Sequence, residues 1–153
     1  MNSIQKYLTL ILLVMSVFHT QAQLPAKAEK LVGKWEYKKG SGSETFTLHG
    51  DTLKGVAALI DKYGHELPVE RMQIKNVNGH FIYTAQKIAS DSLGSTQEHL
   101  FVAKGKRLKF YNTEDEFVQA LKYRVRCFNA NKMVLIIYTS EGDKRKLRLN
   151  KVD

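Results

Sequence analysis

A single cysteine, Cys127, stands in a chain of 153 residues, so no internal disulfide can staple the fold and a hydrophobic core must hold it. Catalytic signatures are missing as well. There is no Gly-x-Ser-x-Gly nucleophile turn, no glycine loop to cradle phosphate and no His-Glu-x-x-His. None of His49, His65, His80 and His99 pairs with another at metal-ligand spacing, and none lies near Cys127 in sequence, so no metal site is expected. Cys127 falls on the apolar side of its segment and reads as packing rather than as a nucleophile. Beyond residue 22 no apolar run is long enough to span a bilayer, and almost no stretch has helical periodicity.

What is present begins with a processing signal. Lys6 precedes an apolar run from Tyr7 to Phe18, and His19-Thr20-Gln21-Ala22 offers small residues for cleavage. That pattern predicts a signal peptide over 1–22, a linker over 23–30 and one domain over 31–153, soluble and exported to the periplasm or outside the cell. The run falls short of the roughly 20 residues of a membrane anchor. No cysteine follows it to carry a lipid.

Lys and Arg number 24 against 15 acids, a net charge of +9, of which the signal segment carries one lysine and no acid. Such a surface attracts anions. The cations Lys122, Arg124, Arg126, Lys144, Arg145, Lys146 and Arg148 lie in strand-like segments, mostly on the polar side, and no nucleic-acid motif accompanies them. The expectation is a basic monomer with no nucleic-acid partner.

From residue 33 the pattern has period two. Strands are predicted over Lys34–Lys38, Glu44–His49, Thr52–Asp61, Glu66–Asn76, His80–Lys87, Thr96–Ala103, Arg107–Asn112, Gln119–Phe128, Lys132–Thr139 and Lys144–Val152, with a helical turn over Ala26–Leu31. Asn78-Gly79 is the strongest hairpin signal. Gly55 inside a strand suggests a bulge or a sharp bend. Ten strands on short connections favour sequential antiparallel pairing, and closure into an all-β up-and-down barrel removes the two exposed edges. A two-sheet sandwich is the rival.

Gly33-Lys34-Trp35 resembles the Gly-x-Trp signature of the lipocalin and calycin superfamily. The longer likeness is to small exported lipocalin-like domains of unknown function, and runs from Leu31 to Val152. It rests on Gly33, Trp35, Glu44, Gly55 and Glu70, then on the run from Phe110 to Gln119, then on Lys122-Tyr123. The chain departs from that pattern at Asp115, where the family often has histidine, and at Thr113 and Val118, where it often has proline. The resemblance implies a barrel, and implies no activity.

Parity nominates a site. Residues two apart in a strand share a face. Glu44 then shares one with Phe46 and Leu48, Glu70 with Met72 and Ile74, and Glu98 with Leu100 and Val102. Tyr83, Tyr123, Asn112 and Gln119 follow the same rule. Inward carboxylates conflict with a dry core, because an unpaired buried carboxylate is costly. A cavity lined by Glu44, Glu70, Glu98, Tyr83, Asn112, Gln119 and Tyr123 resolves the conflict and suits a small hydrophobic or amphipathic ligand. Bulges or strand ends that turn the glutamates to solvent resolve it equally. Gly33, Trp35, Gly55 and Phe117 are assigned structural roles: Trp35 plugs one end, with Tyr37, Phe46 and Leu48 beside it. Asn112–Gln119 is expected to be a rim or lid, or else a solvated loop, with Phe117 tucked inward. Two function classes stay open, a ligand-binding barrel and a cell-envelope interaction module with a filled core; an enzyme ranks behind both.

Overall fold

The computed structural model describes residues 24, 26–88, 98–103, 108–112, 117–126 and 128–152. Residues 1–23, where a signal peptide is expected, and Glu114, Asp115, Glu116 and Cys127 therefore lie outside the described residues, as do the side chains of Glu98 and His99. One helical turn, α1 (Ala26–Glu29), precedes ten strands: β1 (Gly33–Tyr37), β2 (Gly42–His49), β3 (Thr52–Ile60), β4 (Glu66–Val77), β5 (His80–Lys87), β6 (Glu98–Ala103), β7 (Lys109–Asn112), β8 (Val118–Arg126), β9 (Asn129–Thr139) and β10 (Lys144–Val152). Each pairs antiparallel with the next, and β1 pairs with β10, so the sheet is a closed up-and-down barrel and the sandwich is excluded. The closing seam sets Lys34 against Val152 and Tyr37 against Leu149. The Asn78-Gly79 turn has both φ angles positive, 52° and 82°, and joins Val77 to His80 as a two-residue hairpin.

The inward row follows the period-two pattern. Trp35 is completely buried, and its indole N–H donates to the Leu31 carbonyl at 2.6 Å. Leu24, Ala28 and Leu31, on and around α1, are buried in the same cluster and plug that end. The Lys151 ammonium lies 5.5 Å from the Trp35 ring centre. Gly33, at φ 118°, is where the chain turns under that lysine; a Cβ there would meet Lys151 Cε. Phe46 joins the plug, but Leu48 does not. It sits beside the β2–β3 turn and is 44% exposed, because β2 runs on past the packed interior.

Gly55 marks no bulge. It keeps regular register with Phe46 on one side and Met72 on the other. Its purpose is room: an added Cβ would come within 2.7 Å of the Phe46 ring and 3.1 Å of Met72 Cε. The ring cannot easily yield, since it packs edge-on against Tyr123 at 5.8 Å. Gly55→Ala is expected to destabilise the fold by about 1–3 kcal/mol through overpacking. Adding Phe46→Leu should recover part of that loss, so a urea-denaturation double-mutant cycle tests the assignment. Additive effects would refute it.

Register shifts at three other places, one of them between Val125 and Arg126, and the remaining two bear on the site. Ala57 faces Glu70 while Ala58 faces Pro68, so Val69 is an extra residue in β4. Val118 faces Thr139 while Ala120 faces Tyr138, so Gln119 is an extra residue in β8.

Candidate functional site

Trp35, Phe46, Leu53, Ile74, Phe110, Met133 and Leu149 fill one end of the barrel. The other end holds a cavity of about 370 Å³. Its walls differ in character. Tyr37, Glu44, Glu70 and Tyr83 come from β1, β2, β4 and β5, whereas Leu121, Leu135, Ile137 and Leu147 come from β8, β9 and β10. Tyr123 and Met72 lie on the lining as well, and Phe117 and Lys87 are its exposed members.

Glu44 is the deepest charge, 2% exposed. The Tyr37 hydroxyl donates to its Oε1 at 2.7 Å. The Tyr123 hydroxyl, which also lies 3.8 Å from Met72 Sδ, interacts with the same carboxyl group. Oε2 has no hydrogen-bond partner; among the described residues the only other buried side-chain atom in that condition is Thr139 Oγ1, whose residue is not on the cavity lining. Burial pushes the Glu44 carboxyl up from 4.5 to about 7, with the two tyrosine hydrogen bonds opposing the rise and the charge of Glu70 reinforcing it. Burial likewise raises the Tyr37, Tyr83 and Tyr123 hydroxyls, with the nearby carboxylates adding to it. The Tyr83 ring stacks among Phe101, Phe110 and Tyr123 at centroid distances of 5.6, 5.4 and 6.3 Å, which fixes the floor of the cavity.

Of the residues nominated by parity, Glu44, Glu70, Tyr83 and Tyr123 come together on this lining. Asn112 and Gln119 are not on it. Asn112 donates from Nδ2 to the Val118 carbonyl at 2.9 Å, which ties the end of β7 to the start of β8. Gln119 is the bulge residue, so its parity with Leu121 does not carry across, and Val118 lines the cavity in its stead. The side chain of Glu98 lies outside the described residues; the deeply buried residues of β6 are Phe101 and Ala103. Phe117 is 52% exposed at the mouth rather than tucked inward. Asn112 and Val118 at the two ends of the expected rim belong to β7 and β8.

Tyr37 and Lys87 are the polar members of the described lining that parity did not nominate. Tyr37 shares parity with Trp35, but its bond to Glu44 depends on the register between β1 and β2, which sequence spacing does not give. Glu66 has the same sequence parity as Glu70 but is turned outward by the Val69 bulge. There it accepts from Ser43 at 2.7 Å and pairs with Lys34 at 3.0 Å. Pro68, which cannot donate to a ladder, was the sequence signal for that break.

Among the described residues no three His, Cys, Asp or Glu side chains gather as a metal site, and no helix is long and apolar enough to cross a membrane. In comparison with known proteins, the chain matches no family model and no curated protein.

Proposed function

We propose that the chain is an exported, lipocalin-like barrel that binds a small, partly apolar ligand in its open end. The observation that carries this reading is the cavity of about 370 Å³, within the range of small-molecule sites, with a buried carboxyl group on one wall and aliphatic side chains on the other. A barrel packed only for stability has no use for Glu44. Its carboxyl group and the neighbouring hydroxyls occupy space that leucine or phenylalanine fills at lower cost. Export rests on the charged head, apolar run and small-residue site of residues 1–22.

A second reading, an interaction module of the cell envelope, draws on the outer face. β8, β9 and β10 contain no acidic residue. Arg124, Arg126, Lys146 and Arg148 surround a surface depression of about 520 Å³ that includes Val134 and Ile136, with Phe128 fully exposed at its edge. The two readings differ in whether the interior is occupied.

Native mass spectrometry of protein purified from its own host tests the first. The expected spectrum shows an added small-molecule mass that denaturation releases, on a polypeptide starting near Gln23. Ala57→Trp, placed to fill the cavity, should lack the added mass while remaining folded. Bare polypeptide in both proteins would count against ligand binding and leave the module.

A further inference from the structure

The geometry points to a cationic head group: we propose that the cavity takes an amphiphile bearing a protonated amine, with its ammonium on Glu44 Oε2 and its apolar tail against the β8–β10 wall. This rests on the ligand-binding reading above and gives it a chemical class.

The argument starts from one atom. Glu44 Oε1 accepts from Tyr37, while Oε2 is buried without a partner on the cavity wall. Protonating the carboxyl group removes the charge but does not settle this atom. A proton on Oε2 is a donor, and no group is hydrogen-bonded to that atom; the Tyr123 hydroxyl beside the carboxyl group is directed to Met72 Sδ. An ammonium settles both matters at once, supplying donors and cancelling the charge. An anionic head would instead stand beside two carboxyl groups, Glu44 and Glu70. A neutral hydroxyl could donate one bond but would leave the charge.

The remaining charges fit this assignment. Among the described residues Lys87 is the one cation on the lining; it is exposed, and it faces Glu70 across the β4–β5 ladder. It can therefore balance Glu70 at the mouth, leaving Glu44 as the inner negative site. The Tyr83 and Tyr123 rings on the same lining favour an organic cation further. The opposite wall of Leu121, Leu135, Ile137 and Leu147 is aliphatic, so head and tail have separate places.

Acidity should enter the binding. The groups around Glu44 are Tyr37 from β1, Glu70 from β4, Tyr83 and Lys87 from β5 and Tyr123 from β8. Of these, the tyrosines are neutral at physiological pH, and burial raises their hydroxyls further. Glu44, raised to about 7, must lose its proton to take an ammonium.

Isothermal titration with n-octylammonium, n-octanoate and 1-octanol decides the matter. At pH 8 octylammonium should bind at least about tenfold more tightly than either of the others, one decade corresponding to a single lost charge-assisted contact. Its affinity should rise by up to about tenfold per pH unit between pH 5 and 7 and level off above that, since Glu44 is deprotonated on binding. Glu44→Gln should weaken octylammonium by about tenfold or more at pH 8 and abolish the pH dependence. The probe comparison and the wild-type pH series stand even if that variant folds poorly. Octanoate or octanol binding as tightly as octylammonium, or a flat wild-type pH profile, overturns the cationic assignment while ligand binding survives. If none of the three binds, the cavity reading falls for these amphiphiles and the cationic assignment falls with it.

Discussion

Trp35→Ala is expected to destabilise the barrel by about 3–5 kcal/mol, the usual cost of truncating a buried tryptophan. That corresponds to a fall in melting temperature of about 10–20 °C for a domain of this size. The size of the effect follows from where the side chain sits. Trp35 is fully buried, its indole N–H holds the Leu31 carbonyl, and Lys151 covers its ring. Truncation opens a void under α1 and removes the donor from a buried carbonyl, which adds a penalty of its own. Trp35→Phe keeps most of the volume and loses only the N–H, so it should fall between wild type and alanine. Circular dichroism melts of the three proteins measure this. A shift of a degree or two for alanine would mean that Leu24, Leu31 and Phe46 close the barrel without it.

The second large effect concerns acidity and stability. Glu44 holds its proton more tightly in the folded chain, at about 7, than its ordinary value of 4.5. The native state therefore binds more protons than the unfolded state between these values, and stability falls as pH rises through that window. The contribution is fully present below about 4.5 and fully lost above about 7. A shift of this size corresponds to roughly 3 kcal/mol. Asp61 and Glu66 shift the other way, but both are exposed carboxylates whose effect lies at lower pH. Tyr37, Tyr83 and Tyr123 are raised from a value of 10 and act only in strong alkali. Ligand-free protein should thus be more stable at pH 5 than at pH 8 in urea denaturation. Glu44→Gln should match wild type at pH 5 and exceed it by roughly 3 kcal/mol at pH 8. Wild-type stability that is level or rising across this window would place Glu44 in a far more polar setting than the lining provides.

Both predictions depend on side chains that could be found by alternation, and the limits of alternation are equally concrete. Ten strands and the Asn78-Gly79 hairpin were legible because a half-buried strand leaves a period-two mark and a tight hairpin needs positive φ. Glu44 and Glu70 could be placed on the inner face because the stretches from Glu44 to Phe46 and from Glu70 to Ile74 contain no break in register. Gln119 and Glu66 could not, because one extra residue reverses every side chain beyond it. In β6 alternation alone does not choose the inner row, because large apolar residues stand in both, Leu100 and Val102 in one and Phe101 in the other. The Tyr37–Glu44 bond and the fit of Gly55 under Phe46 are contacts between strands. They follow from register and ring orientation, neither of which is written along a single segment.

The seam between β1 and β10 also shapes the kinetics of folding. Every other pairing joins strands adjacent in sequence, so nine ladders can grow from local hairpins. The seam that sets Lys34 against Val152 encloses nearly the whole domain and bears the largest loop-closure entropy. Until the last strand arrives, the first has only one neighbour, and the backbone groups on its other edge stay open to pairing with another chain. Before β10 pairs, the sheet is a nine-strand curl with β1 as an open edge, so losing β10 costs closure as well as one strand.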